Sequence, residues 1–184
     1  MSESEAKLEI QSRTRSVALQ HGSEAILKIL FVCTGNICRS PSADGIFRVL
    51  VEEAGLSAHF QVESAGLYAH VDEAPDRRSS FTAMEHGVDL SPLRGRQFSR
   101  QDFQDFTHIF AMDKGHYQKL ESLMPSVSPA ELHMFLDFGQ NNTTPRDVPD
   151  PYYGGDSGFK DVYDLIYEGC ENIVQVLIKQ HFSE

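Results

Sequence analysis

Apolar residues recur along this chain with two periods, and each change of period marks an element. Leu27 to Val32 is apolar apart from Lys28 and rich in branched residues, as a strand buried on both faces would be. From Ser40 to Glu53 the apolar positions Ala43, Ile46, Phe47, Leu50, Val51 and Ala54 return every three or four residues until Gly55, which predicts an amphipathic helix. His59 to Ser64 alternates as a second strand, and Ala65-Gly66 opens a loop. Arg77 to His86 reads as a helix closed by Gly87. Thr107 to Met112 is a third strand, followed by Asp113 where an N-cap would start a helix through Leu123. Leu132 to Leu136 is a fourth strand. Gly139 to Gly155, crowded with Asn, Pro, Asp and Gly, is a long loop of the kind that tends to carry function. A last helix from about Ser157 to His181 gathers Val162, Leu165, Ile166, Gly169, Ile173, Val176 and Leu177 on one side.

Strands alternating with helices predict one α/β domain, residues 25–184, with a parallel sheet covered by helices on both faces. In such a sheet, ligands bind outside the carboxyl ends of the strands. Cys33, the segment from Ser64 to Tyr68, Asp113 and the late loop should therefore meet at one edge. Residues 1–24 are polar and charged, with few apolar anchors, and are expected to be a disordered or loosely helical extension.

A net charge of -11 opposes general binding to nucleic acid or to an anionic membrane. An anionic substrate then needs a local positive site, with Arg77, Arg78, Arg94, Arg96 and Arg100 as candidate rim charges. Three cysteines, Cys33, Cys38 and Cys170, form no disulfide framework and fit a reducing compartment. Without a long apolar run or the apolar core of a signal peptide, the expectation is a soluble, cytoplasmic protein.

The candidate site is the run Cys33-Thr34-Gly35-Asn36-Ile37-Cys38-Arg39-Ser40, between the first strand and the first helix. A loop of this kind can turn its amides inward at a helix N-terminus, while Arg39 adds a fork of donors matched to phosphate oxygens. Such an anion cradle also favours a thiolate at Cys33. Ser40 could cap the helix or donate to that thiolate. Asn36 fits a left-handed turn position after Gly35. Asp113 could cap its helix. Asp150, between Pro149 and Pro151, is the candidate proton donor, with Asp147 and Asp137 as neighbours lacking its Pro-Tyr-Tyr context. Leu67 and Tyr68 on one side, and Tyr152 and Tyr153 on the other, are expected to wall a cleft for a flat aryl phosphate. Two cysteines without a second pair or a matching histidine pair argue against zinc at the cradle. His21, His59, His70, His86, His108, His116, His133 and His181 show no ligand spacing, so neither metal nor cofactor is expected.

The string Val32-Cys33-Thr34-Gly35-Asn36-Ile37-Cys38-Arg39-Ser40-Pro41-Ser42-Ala43, with Asp150-Pro151-Tyr152-Tyr153-Gly154 downstream, resembles the low-molecular-weight protein tyrosine phosphatases. The resemblance runs from about Leu27 to the C-terminus. It implies strand order 2-1-3-4, a phosphocysteine on Cys33, a phosphoryl group bound by Arg39 and the amides from Thr34 to Ser40, Asp150 as acid and then base, and a contact of Asp113 with the cradle or its serines. It also implies phosphotyrosine protein or small aryl phosphate as substrate, inhibition by phosphate-like anions, and a monomer or weak dimer. Cys38 is a candidate redox partner of an oxidised Cys33. Two rivals are an arsenate reductase of the same fold, which would need further cysteines that Ala65 to Met112 lacks, and a non-catalytic phosphate-binding module.

Overall fold

The computed structural model describes residues 26–153 and 155–182; the polar N-terminal stretch lies outside them. Its order is β1 (Leu27–Cys33), α1 (Arg39–Glu53), β2 (Phe60–Gly66), α2 (Arg77–Glu85), α3 (Asp102–Asp105), β3 (His108–Ala111), α4 (Lys114–Leu123), β4 (Glu131–Met134) and α5 (Asp156–His181). All pairings are parallel, and the strand order is β2-β1-β3-β4, as expected from the resemblance.

Strand alternation divides the core into two layers. Leu27, Ile29, Phe31, Phe60, Val62 and Phe110 pack with α1, α2 and α5 on one face. Leu30, Val32, Ala65, Ile109 and Ala111 meet Phe103 of α3 and Leu120 of α4 on the other. Burial on both sides explains why β1 reads as a nearly unbroken apolar run. The short α3 and the 3-10 turns at Ser57–His59 and Phe135–Asp137 were not anticipated, being too short to display a period. The last of these cuts the fourth strand back to Met134.

Every crossover returns to the same sheet edge, so the loops after β1, β2 and β3 converge at the carboxyl ends of the strands. No helix among the described residues is long and apolar enough to cross a membrane.

Candidate active site

The loop after β1 is shaped by where its carbonyls go. The carbonyls of Cys33, Thr34, Gly35 and Ile37 accept the amides of Leu67, Tyr68, His70 and Asp76. The Cys38 carbonyl accepts both the amide and the hydroxyl of Ser42. With the carbonyls turned outward, the amides face in; those of residues 34–38 have no protein acceptor among the described residues. The turn needs a left-handed residue, and Asn36 supplies it at φ 56°. Its Nδ2 donates to Ser40 Oγ and Ser64 Oγ at 2.9 Å each, and its Oδ1 accepts from the Arg96 amide at 2.9 Å. Gly66 allows this closeness: a Cβ there would stand 2.6 Å from the Thr34 carbonyl oxygen.

Beneath the loop, Ser64 continues the polar line to Asp44, which pairs with Arg48 Nε at 2.6 Å. Burial outweighs that pairing and pushes the Asp44 carboxyl up to about 6.

Cys33 Sγ lies 3.0 Å from Ser40 Oγ. Because Ser40 Oγ accepts from Asn36, its own proton is free for the sulfur, which is closer than the Ala65 carbonyl oxygen at 3.4 Å. Ser40 therefore serves Cys33 rather than capping the helix; α1 has Cys38 at its N-cap and no side-chain cap. Cys38 itself is buried, and that burial pushes its thiol up to about 12.

Arg39 is only 4% exposed and spends one nitrogen on position. Its Nη1 donates to Asp113 Oδ2 at 2.8 Å and to the Val148 carbonyl at 3.0 Å, while Nη2 reaches Asp150 Oδ2 at 3.2 Å. Asp113 also caps α4, accepting the His116 amide at 2.9 Å, so both of its expected roles are filled at once. Burial alone would raise the Asp113 carboxyl, but the His116 amide and ring and Arg39 outweigh it and hold it below the usual range. His116 was not singled out from sequence. It is buried, its Nε2 is 2.7 Å from Thr34 Oγ1, and burial lowers it to about 4.

The long loop is pinned beside β3, with the Val148 amide on the Met112 carbonyl and Asp147 accepting the Lys114 amide. This leaves Asp150 over the cradle, its Oδ1 accepting the Tyr152 amide at 3.0 Å. Asp147 and Asp137 do not line the cleft; Asp137 is engaged with Arg146 and Asn142. The cleft encloses about 270 Å³, with Cys33, Cys38 and Arg39 at its base, Asp150 above them, and Tyr68, His70, Tyr152 and Tyr153 around its mouth. Leu67 is a correction. It lies in the apolar layer with Val32 and Ala65, because the strand alternation that buries Ala65 carries on past Gly66. Arg94, Arg96 and Arg100 do not line the cleft either. Arg96 pairs with Glu63 and Asp102, and the other two bond to the carbonyls of Ser91 and Leu123. Arg78 lies over the Tyr152 ring and backs that wall.

The sequence profile described as "Low molecular weight phosphotyrosine protein phosphatase" matches residues 28–182. The chain belongs to that family. This phosphatase is 38% identical over 151 residues to the low molecular weight phosphotyrosine protein phosphatase of Schizosaccharomyces pombe, covering 81% of this chain and 96% of the other. It superposes on YfkJ from Bacillus subtilis with a TM-score of 0.78 at 34% identity, over 86% and 99% of the two chains. Vibrio vulnificus Wzb, in complex with benzylphosphonate, matches the phosphatase with a TM-score of 0.71 at 28% identity, over 83% and 100%.

Proposed function

We propose that this phosphatase hydrolyses phosphotyrosine in proteins, and small aryl phosphates, through a phosphocysteine on Cys33. The observation that carries the reading is one cleft with the sulfur and inward amides at its base and a carboxyl group held across from them. A phosphoryl dianion seated on the amides of residues 34–38 takes over Nη2 of Arg39, while Asp113 and Val148 keep Nη1 in place. Cys33 attacks phosphorus in line; the S–P bond forms as the P–O bond to the phenol breaks, and Asp150 gives its proton to the departing oxygen. Water then attacks phosphorus, Asp150 takes its proton, and the thiolate returns stabilised by the Ser40 hydroxyl. The tyrosine rings at the mouth suit a flat aryl group, in keeping with the benzylphosphonate complex of the Wzb protein.

Cys38 stays a thiol, since burial pushes it up to about 12. In our reading peroxide therefore oxidises Cys33 first, and the resulting sulfenic acid condenses with Cys38, releasing water and forming a disulfide. Cys170 sits in α5 with its thiol toward the Ala43 carbonyl, so no third thiol faces the cleft to complete an arsenate-reducing relay. Free thiols of this kind fit the cytoplasm.

The test is hydrolysis of a chromogenic aryl phosphate with a chelator present. Turnover should survive chelation, vanish in Cys33→Ser, and fall about 10² to 10⁴-fold in Asp150→Ala, the span of general acid catalysis. Full activity of Cys33→Ser ends the proposal.

A further inference from the structure

The sheet edge opposite the cleft gathers histidines and an acid that the phosphatase reaction does not use. The parallel register places His108 of β3 beside Glu131 of β4, and Phe110 beside His133. Cross-strand partners share a face, and residues two apart return to it, so His108, Glu131 and His133 project together. One ligand atom from each lies within 4.8 Å of the other two. His181, in the last turn of α5, brings a third imidazole, its ring 6.1 Å from that of His108.

The tautomer of His108 suits ligation. Thr107 Oγ1 accepts from the Lys28 amide and donates to the Lys28 carbonyl, so its 2.9 Å contact with His108 Nδ1 needs the hydrogen to sit on the imidazole. The lone pair of His108 is then on Nε2, which has no hydrogen-bond partner among the described residues. A hydrogen bond on the far nitrogen is what fixes the tautomer of a metal-bound histidine. Packing of His108 against Phe110 and Phe138, and of His133 against Phe138, orients the rings. His133 Nε2 donates to Glu131 Oε2 at 3.1 Å, so an ion bound between the two takes the place of that proton.

We propose that His108, Glu131 and His133 bind a divalent transition metal ion of the zinc class, with His181 as fourth donor. Two imidazoles and a carboxylate form a borderline donor set that suits Zn²⁺, Co²⁺ or Ni²⁺ and is too soft for Mg²⁺ or Ca²⁺. The ion ties the edge strand β4 and the end of α5 to β3. It stabilises the fold by mass action and takes no part in turnover, since Cys33 lies at the other end of the parallel strands.

The test titrates Co²⁺ into the full chain carrying Cys33→Ser and Cys38→Ser, which removes both cleft thiols as ligands, and follows ligand-field absorption. One equivalent should bind. His133→Ala and Glu131→Gln should each weaken binding by more than the roughly 10- to 100-fold that loss of an outer-shell partner costs. In the chain with both cleft cysteines intact, the same two variants should keep parental turnover and metal-free melting, and should lose the rise in melting temperature that Zn²⁺ gives the parent. His181→Ala should weaken binding less than either. Unchanged Co²⁺ affinity in His133→Ala and Glu131→Gln, or no binding to the parent at micromolar metal, overturns the proposal.

Discussion

Asn36 is the residue whose loss should separate the architecture of the cradle from its chemistry. Three hydrogen bonds of 2.9 Å tie it to Ser40, Ser64 and the Arg96 amide, and it holds a left-handed backbone at φ 56° while buried. Asn36→Ala leaves the Arg96 amide unpaired at a cost of about 1–3 kcal/mol, and removes two further bonds worth about 0.5–1.5 kcal/mol each. It also puts a Cβ without a local polar partner into the left-handed region, about 1–2 kcal/mol more. The sum is roughly 3–8 kcal/mol. Asn36→Gly loses the same bonds without that last penalty and should be about 1–2 kcal/mol less damaging. Asn36→Asp keeps the acceptor for Arg96 and tolerates the backbone, yet brings negative charge beside the bound phosphoryl group. It should therefore be the most stable of the three and still turn over slowly. Urea midpoints at pH 7 give the stabilities, and aryl phosphate hydrolysis gives the turnover. Alanine and glycine variants of equal stability would refute the backbone argument, and an Asn36→Ala chain with parental midpoint and turnover would refute the view that this side chain holds the loop.

Acid stability is set by opposing groups. His108 and His116 are lowered to about 4 by burial, so the stability they confer is complete above the unfolded value near 6.5 and is lost as pH falls through 4, an upper figure of about 3 kcal/mol each at 1.36 kcal/mol per pKa unit. Asp44 is raised to about 6, so its contribution is complete below the unfolded value of 3.8 and is lost as pH rises through 6. Asp44→Asn should therefore lose stability more steeply than the parent between pH 6 and 4, and parallel curves in urea titrations at several pH values would contradict this. Gly66→Ala should cost about 1–3 kcal/mol and lower turnover by an order of magnitude or more, because the new methyl meets the backbone of Thr34, Asn36 and Ala69 and no rotamer relieves it. Turnover near the parental value in a folded Gly66→Ala chain would show that the contact yields without moving the cradle.

The features legible in sequence are those in which neighbouring residues carry the signal. The apolar run of β1, the period of α1 and α5, the cap at Asp113 and the left-handed turn at Asn36 are local, and each stands where it was read. Features that depend on which strands lie side by side were not legible. Thr34 and His116 meet across 82 positions in the sequence. His108, Glu131 and His133 have no ligand spacing along the chain; their proximity comes from the register of β3 with β4. Leu67 was misplaced because the Gly66 turn hid the strand alternation that continues through it.

One physical economy runs through the buried polar residues. A guanidinium as enclosed as Arg39 would be costly without partners, and the partly buried carboxylate of Asp113 less so. Each satisfies the other, and Asp113 uses its second oxygen to start α4, so the pair is fixed by the same contacts that fix the fold. That leaves Nη2 as the exchangeable corner of Arg39, held by Asp150 from the pinned loop. In the proposed mechanism phosphate claims that corner and releases Asp150 at the mouth of the cleft, where the leaving oxygen would stand. The proposal thus links binding of the phosphoryl group and delivery of the acid through one nitrogen, which a lysine could not provide, having a single ammonium in place of two separately directed groups.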